Sequence, residues 1–258
     1  TNGKTTTTTI IYEILKEASK SVFLMGNIGY PACSFIKKLK SNDILVIEVS
    51  DHQLCNVVDF KTNISVLTNI SEAHLDFHVS YESYKNTKKR IFNHHTKNDI
   101  AILNLNNSES LSLTDDIKST KKFFSTTSCD KALCLIIDDS IYYNNEKIIS
   151  LDELKLKGSH NFENVMAAIS VVKELNVDNK AIVSVLKTFG GVEHRMEYFK
   201  TINNVDFYND SKATNIKSTQ TALSSFSRPT ILLLGGLDRG NSFDELKDYT
   251  TNVKLIIA

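Results

Sequence analysis

The sequence predicts an α/β fold with a mostly parallel sheet, and three observations lead to this prediction. Segments with helical spacing of apolar residues alternate with short runs dense in Val, Ile and Leu, as in proteins built from β-α-β units. Those runs lack polar alternation, which is typical of strands buried on both faces. A Gly-Lys-Thr sequence near the start precedes an amphipathic stretch, as in a phosphate-binding loop that leads into a helix.

The predicted elements of the first part of the chain follow from local patterns. Apolar residues recur at helical spacing over residues 5–20, which predicts the first helix. A second helix is expected over residues 80–92, and antiparallel hairpins with D-D-S and N-N-E turns over residues 132–151. The strands are expected at residues 21–25, 43–49, 63–70 and 99–105.

The later part of the chain predicts two more helices and then a second α/β unit. The helices are expected at residues 161–175 and 179–189, and the Gly-Gly pair that ends the second one is our candidate domain boundary. Beyond it, we expect strands at 205–210, 230–236 and 253–258 and helices near 215–224 and 243–250. Because this unit stops on a bare strand, we expect the chain to be cut at both ends.

The composition narrows the class of protein. The 258 residues fit one large domain or two ordinary ones. The 30 Lys and Arg residues balance the 30 Asp and Glu residues, which argues against nucleic-acid or membrane-surface binding through bulk charge. No apolar run approaches the roughly 20 residues of a membrane span, so we expect no membrane insertion. The four cysteines form no C-x-x-C pair, which argues against a zinc knuckle and favours reduced cysteines in a cytoplasmic protein.

The opening T-N-G-K-T is the second half of a phosphate-binding loop. In such a loop, backbone N–H groups hold phosphate oxygens, the lysine reaches the β- and γ-phosphates, and the next hydroxyl binds Mg²⁺. In this chain the lysine would be Lys4 and the hydroxyl would be that of Thr5. The alternative is a polar glycine turn that caps a helix, and these few residues do not decide between the two.

Three further residues are candidates for chemistry. Glu48 ends a predicted strand and His74 follows the next one, so both fall at the sheet edge where doubly wound folds bind ligands. A carboxylate there can hold Mg²⁺. The alternatives are an ordinary acidic strand end and a structural histidine. Lys88 lies in a basic run on a predicted helix, a pattern that by itself indicates a solvated face.

Nine short blocks, in order along the chain, resemble the Mur ligases, ATP-dependent amide-forming enzymes of peptidoglycan precursor synthesis. The blocks are TNGKT, GNIG, EVS followed by Gln53, TNISEAHLDFH, SYESYKNTKKRIF, GSHNFENVMAA, EHRME, NDSKATN and LLLGGLDRG. Within the family, H-R-M-E, N-D-S-K-A-T-N and G-G-L-D-R-G look like the member that adds D-glutamate. The resemblance therefore implies addition of D-glutamate to UDP-N-acetylmuramoyl-L-alanine through an acyl phosphate.

The resemblance also implies a domain organisation. Family members have a UDP-binding domain, a central P-loop ATPase domain and a Rossmann-like C-terminal domain. By comparison, residues 1–192 are the central domain beginning inside its loop, and residues 193–258 are the incomplete start of the C-terminal domain. The UDP-binding domain is absent. We therefore expect this segment alone to be inactive, and the whole enzyme to be a cytoplasmic monomer that acts on small molecules.

Site residues follow from the resemblance one motif at a time. The implied ATP-binding residues are Asn2, Gly3, Lys4, Thr5, Thr6, Asn161, Asn164, Arg195, Asp210 and Lys212. The implied ligands of two Mg²⁺ ions are Thr5, Glu48, His74 and Lys88, the last as a CO₂-derived carbamate. The implied substrate contacts are Asn27, Ser50 and Thr214. The implied catalytic residues are Lys4, His74, Lys88 and Lys212.

Alternatives and departures remain. Another Mur-type amino-acid ligase or a folylpolyglutamate synthase-like enzyme would share the fold, although N-D-S-K-A-T-N argues against both. A non-catalytic nucleotide-binding module would not need a second metal site.

The family commonly has S-S-F-Q where this chain has Ser50, Asp51, His52 and Gln53. It often has D-H-x-D-R where Ala73 and Phe77 stand here.

Overall fold

The computed structural model describes residues 1–72, 74, 77–237 and 242–258. Their contacts divide the chain into two compact units, Thr1–Gly190 and Gly191–Ala258, and each is described by itself. Ala73 and Asp76 of the TNISEAHLDFH block, and residues 238–240 of the LLLGGLDRG block, lie outside the described residues. Among the helices of the described part, none has the length and apolar character of a membrane-spanning segment.

The first unit has the predicted α/β structure with mostly parallel strands. The strands are β1 (Val22–Gly26), β2 (Ile44–Glu48), β3 (Ile64–Leu67), β4 (Ile100–Asn104), β5 (Thr120–Ser125), β6 (Ala132–Ile137), β7 (Ser140–Tyr143) and β8 (Glu146–Ser150). β1 pairs with β2 in parallel, and β3 to β8 form a six-stranded sheet in chain order. Its β3–β6 pairs are parallel and its β6–β8 pairs antiparallel.

The predicted hairpin turns are confirmed by the backbone. Asp138 and Asp139 join β6 to β7, and Asn144 and Asn145 join β7 to β8; all four have positive φ. Two-residue turns of this kind need positive φ at both central positions to match the twist of the strands, and Asn and Asp tolerate that conformation.

Helices cover both faces of the six-stranded sheet. They are α1 (Lys4–Glu17), α2 (Asp51–Leu54), α3 (Tyr81–Lys89), α4 (Ser108–Leu113), α5 (Ser159–Glu174) and α6 (Asn179–Thr188). Ile102 of β4 belongs to a core cluster with α1, α5 and α6, whereas its neighbours Ala101 and Leu103 belong to a second cluster with Tyr84 of α3. Alternate strand residues point to opposite faces, so the two clusters are the two sides of one sheet.

A cavity of about 500 Å³ lies between β2 and β3. Along the described residues, β2 is paired only with β1, and β3 only with β4. Val46 of β2, Val66 of β3 and Ile11 of α1 line the cavity, and Thr1 and Lys4 line it as well. We call this cavity the β2–β3 slot. β2 and β3 therefore each have one edge without a hydrogen-bonded neighbour strand.

The second unit contains a hairpin and a parallel strand pair. Its elements are β9 (Glu197–Ile202), β10 (Val205–Asn209), α7 (Ile216–Ser224), β11 (Thr230–Leu233), a 3₁₀ helix (Phe243–Tyr249) and β12 (Val253–Ile257). β9 and β10 are antiparallel and β11 and β12 parallel. The expectation of three strands was wrong, because β9 adds a fourth. The helix expected near 243–250 is a 3₁₀ helix.

Candidate functional site

The start of α1 is shaped by a close approach between Gly3 and Asn164. Gly3 has φ 80°, and a Cβ added to it would lie 2.0 Å from Oδ1 of Asn164. Only glycine fits such a position. Asn164 of α5 is buried and accepts a hydrogen bond from Thr7 Oγ1 at 3.4 Å, and its Nδ2 donates to Asn161 Oδ1 at 3.4 Å. The fold thus brings together the loop at Gly3 and the start of α5, two segments that the family resemblance implied in ATP binding.

The loop before α1 is fastened to the end of β3. The backbone N–H of Asn2 donates to Asn69 Oδ1 at 2.8 Å, and Thr68 Oγ1 donates to the carbonyl of Asn2 at 2.7 Å. Lys4 Nζ donates to the carbonyl of Thr1 at 2.8 Å. The loop is therefore held at the carboxyl edge of β3, where a parallel sheet binds ligands.

The threonine run continues the helix through its own hydroxyl groups. Thr8 and Thr9 donate to the carbonyls of Lys4 and Thr5 at 2.9 and 2.7 Å. Such back-bonding satisfies the hydroxyls within the helix. Thr6 is buried and Thr5 is half-buried in this first turn. Thr5 and Thr6 lie in the first turn of α1, which begins at Lys4, and a helix N-terminus favours anions.

Glu48 at the end of β2 carries a carboxylate oxygen that the protein leaves unpaired. Its side chain is buried, and Oε1 accepts a hydrogen bond from Asn27 Nδ2 at 2.9 Å. Oε2 is also buried, and it has no hydrogen-bond partner among the described residues. An unpaired buried carboxylate oxygen is costly. A hard cation such as Mg²⁺ would satisfy it.

Five side chains meet beside this edge, and we call them the Asp51 cluster: Asp51, His52, His74, His78 and Lys88. Oδ2 of Asp51 lies 2.8 Å from His74 Nδ1, 2.9 Å from His78 Nε2 and 3.4 Å from His52 Nδ1. Its Oδ1 lies 3.3 Å from Lys88 Nζ. The cluster brings α2, α3 and the segment after β3 to one carboxylate.

The charges of the cluster are set by burial and pairing. Burial alone would raise the pKa of Asp51, but the hydrogen bond from His74, the charge of Lys88 and the hydrogen bond from His78 outweigh it. The pKa of this carboxyl therefore lies well below its usual range. Burial lowers the pKa of Lys88, and the charge of Asp51 opposes that effect. The solvated-face interpretation of Lys88 was wrong, because this side chain is only 4% exposed.

Asp51, His52 and His78 are the members to which sequence reasoning assigned no role. Asp51 begins α2, where Ser50 and Gln53 form a capping box: Ser50 Oγ accepts from Gln53 N at 3.2 Å, and Gln53 Oε1 accepts from Ser50 N at 2.9 Å. The hydroxyl of Ser50, a predicted substrate contact, thus already caps a helix. His74 and His78 lie outside the helices, so their spacing carried no helical signal, and the fold alone brings them to Asp51.

The predicted residues of the second unit gather around its first loop. Asp210 Oδ1 accepts from the backbone N–H of Met196 at 3.0 Å, and Lys212 Nζ donates to the carbonyl of Glu193 at 3.1 Å. Burial raises the pKa of Asp210, partly opposed by the Met196 N–H and the charge of Arg195. Nε of Arg195 is buried without a hydrogen-bond partner among the described residues. Thr214 is exposed.

Comparisons with known proteins identify the family of this chain. The model of the Mur ligase middle domain matches residues 1–172. The chain is 46% identical over 257 residues to proteins named UDP-N-acetylmuramoylalanine–D-glutamate ligase from Bacillus thuringiensis and Bacillus anthracis, and it covers 57% of their length. The chain thus spans little more than half of these relatives.

Solved structures share the fold. MurF from Acinetobacter baumannii matches with a TM-score of 0.74 at 15% identity, over 99% of this chain and 65% of that one. MurC from Thermotoga maritima, a UDP-N-acetylmuramate-alanine ligase, matches with a TM-score of 0.69 at 20% identity, over 100% of this chain and 60% of that one. At these identities the likeness concerns the fold alone.

Proposed function

Because the chain belongs to the Mur ligase family, we propose that the whole protein adds D-glutamate to UDP-N-acetylmuramoyl-L-alanine in peptidoglycan precursor synthesis, with ATP as the energy source. The observation that carries this proposal is the 46% identity, over the full chain, to ligases named for that reaction. Since the chain spans 57% of their length, the activity is proposed for the whole protein. The segment alone is expected to be inactive. We also expect a cytoplasmic monomer.

We propose residues 1–192 as the central P-loop ATPase domain and residues 193–258 as the start of a Rossmann-like domain. A P-loop is a strand, a glycine-rich loop and a helix in succession. α1 supplies the helix, and residues 1–3 supply the end of the loop. The β2–β3 slot lies between two strands that each have an unpaired edge, and the strand of a P-loop would fit there. The UDP-binding domain would belong to the remaining part of the whole protein.

For the nucleotide, Lys4 and the backbone N–H groups from Asn2 to Thr6 would hold the phosphates at the α1 N-terminus. Asn161 and Asn164, which touch that loop, would lie near the base. Arg195, Asp210 and Lys212 of the second unit would complete ATP binding, and Thr214 would contact the incoming amino acid. Asn27 would contact the substrate next to Glu48.

The residues present fit two magnesium ions. The unpaired buried Oε2 of Glu48, together with Thr5, suits one of them. His74, together with Lys88 as a carbamate, would hold the second. Carbamylation needs an uncharged amine, and burial favours that form of Lys88. When bound, the magnesium ions would reduce the repulsion between the two anions that must meet in this reaction.

The proposed reaction has two steps. The alanine carboxylate of the substrate attacks the γ-phosphorus of ATP, the bond to the bridging oxygen breaks, and ADP leaves. The amine of D-glutamate then attacks the acyl phosphate, forms a tetrahedral intermediate, loses a proton and expels phosphate. Lys4 and the loop N–H groups would stabilise the charge on the transferred phosphoryl group. Water must be excluded, because it would hydrolyse the acyl phosphate.

The test is phosphate release by the full-length protein. Mg-ATP and UDP-N-acetylmuramoyl-L-alanine are supplied with D-glutamate, L-glutamate, L-lysine or meso-diaminopimelate, one at a time. Release that depends on D-glutamate is the expected result. Release with another of these amino acids would move the protein to a sister activity. No release with any of them would favour a nucleotide-binding module instead.

The role of Lys88 is tested with a neighbouring lysine as control. Lys88→Ala should reduce phosphate release about 10- to 100-fold, because the substitution removes a group proposed to support a metal ion. Lys89→Ala should leave it unchanged, because Lys89 pairs with the exposed Asp116 at 2.6 Å. A carbamate carbon in the ¹³C spectrum of protein equilibrated with labelled bicarbonate should be present in Lys89→Ala and absent from Lys88→Ala. Equal activity in both variants would refute the assignment.

A further inference from the structure

We propose that Asp51, His52 and His74 form a site for a divalent transition-metal ion, with Zn²⁺ as the best match. The site is distinct from the magnesium position proposed at Glu48 and Thr5, and it shares one ligand, His74, with the second proposed magnesium position. It does not depend on the ligase function, because it follows from side chains that this fold brings together.

The distances suit metal coordination. The nearest donor atoms of Asp51, His52 and His74 all lie within 4.8 Å of one another. His52 Nδ1 lies 3.4 Å from Asp51 Oδ2, and His74 Nδ1 lies 2.8 Å from the same oxygen. Zinc bonds of about 2.0–2.2 Å would place tetrahedral donor atoms about 3.4 Å apart. One distance matches, and the other needs to open by about 0.6 Å to reach that separation.

The donor types favour a transition metal over magnesium. Two imidazole nitrogens and one carboxylate oxygen are a common zinc ligand set that leaves a fourth position open. Mg²⁺ prefers six oxygen donors and gains little from imidazole. The site should therefore bind Zn²⁺ or Co²⁺ in the presence of excess Mg²⁺.

Neighbouring groups hold the ligands in place. His78 Nε2 lies 2.9 Å from Asp51 Oδ2, and Lys88 Nζ contacts the other oxygen, Oδ1, at 3.3 Å. The ring of His52 packs on Phe77 with centroids 4.1 Å apart. Contacts of this kind hold metal ligands in a fixed orientation. Phe77 is one of the positions where the sequence departs from the family pattern, so this contact gives that residue a role.

Two of the three ligands are departures from the family pattern. Asp51 and His52 stand where the family commonly has serine and phenylalanine, and neither replacement would supply an equivalent ligand. The substitutions Asp51→Ser and His52→Phe are therefore natural probes. They should remove this site while leaving residues that related proteins carry at the same positions.

The experiment is a titration of the full-length, tag-free protein with Co²⁺, in buffer without nucleotide or substrate. Visible absorption bands of cobalt bound to nitrogen and oxygen ligands should saturate at one equivalent. Added Zn²⁺ should abolish the bands, and an excess of Mg²⁺ should not. Because no ligase substrate is present, the result is independent of the proposed activity. No saturable absorption, or complete displacement of Co²⁺ by Mg²⁺, would overturn the proposal.

Variants connect the signal to these residues. His52→Phe and Asp51→Ser should each weaken Co²⁺ binding about 100-fold, the upper end of the range for loss of a supporting partner, because each removes a ligand. His94→Phe is the matched control, because His94 is an exposed histidine that contacts the carbonyl of Val58 instead of the cluster. The affinity of the His94→Phe variant for Co²⁺ should equal that of the unmodified protein. Far-ultraviolet circular dichroism checks that each variant is folded. Folded His52→Phe and Asp51→Ser variants that bind Co²⁺ as tightly as the control would refute the site.

Discussion

Replacing Gly3 by alanine should damage the first unit more than any ordinary surface substitution. The residue has φ 80°, and an L-residue in this conformation costs about 1–2 kcal/mol. The new Cβ would also meet Asn164 Oδ1 at 2.0 Å and its Cγ at 2.8 Å, so the Asn164 side chain must move. Its hydrogen bonds to Thr7 and Asn161, both 3.4 Å long, would be lost at about 0.5–1 kcal/mol each.

Together these terms predict that Gly3→Ala lowers the free energy of unfolding by about 2–4 kcal/mol. For a unit of this size, that corresponds to a fall in Tm of about 4–16 °C. Urea unfolding followed by circular dichroism, and calorimetry of the same samples, give both quantities. Nucleotide affinity, measured by calorimetric titration with Mg-ATP, should fall as well, because the displaced Asn164 belongs to the proposed nucleotide site.

Three variants separate the two causes. Gly29→Ala adds a Cβ at φ 70° with its nearest neighbour at 3.4 Å, so it should show the conformational cost alone. Gly190→Ala, with its nearest neighbour at 3.7 Å, should change little. In an Asn164→Ala background, Gly3→Ala should add only the conformational cost, because the Asn164 side chain and its hydrogen bonds are already absent. Equal stability of Gly3→Ala and Gly190→Ala would refute the reasoning.

Three further predictions concern the packing, pH dependence and capping of the first unit. Ile14→Ala should cost about 2–5 kcal/mol in urea unfolding, because Ile14 is fully buried between α1 and the sheet. Glu163→Gln should raise stability at pH 7: burial, partly opposed by the Asn104 hydrogen bond, raises the pKa of Glu163. The protonated Glu163 side chain therefore contributes stability below about pH 4.3, the pKa of an unfolded glutamate. This contribution is lost as the pH rises through the raised pKa of the folded state. Asp178→Ala should cost about 1 kcal/mol, since Oδ1 of Asp178 caps α6 at the N–H of Ala181, 2.9 Å away.

Each of these has a result that would contradict it. For Ile14, the exposed Ile231 is a control that should tolerate alanine, and an equal loss at both positions would mean that burial is not the cause. For Glu163, parallel stability curves of wild type and variant from pH 4 to pH 8 would show that this carboxyl does not titrate abnormally. For Asp178, the exposed Asp152 serves as the comparison, and identical midpoints for Asp152→Ala and Asp178→Ala would contradict the capping role.

The sequence predicted the elements with strong local patterns and missed those without them. α5 and the β6–β8 hairpins were found because apolar periodicity and turn residues agree there. β5 was missed, because Lys121 and Lys122 interrupt its apolar run and its pairing with β4 and β6 is long-range. β9 was missed for a related reason: its aromatic residues Tyr198 and Phe199 are exposed, so no buried face marks it.

The candidate site was predictable where a motif names the residue and not where the fold assembles a cluster. Lys4 and Glu48 could be chosen from a loop pattern and a strand end. The burial of Lys88 could not be seen in a run of lysines, since it depends on a carboxylate 37 positions earlier in the chain. Asp51 had no local signal, because all its partners except His52 come from two other segments, the one after β3 and α3. Sequence patterns report local geometry, whereas such clusters depend on how segments pack.

The β2–β3 slot has a consequence for cooperativity. In the described part of the chain, β1 and β2 share no ladder of backbone hydrogen bonds with the six-stranded sheet, and side-chain packing connects them to the core. A small element held in this way can open separately from the rest of a domain. A strand inserted between β2 and β3 would bond on both sides and merge the two sheets into one. The amides of β1 and β2 would then exchange their hydrogens only when the whole unit unfolds.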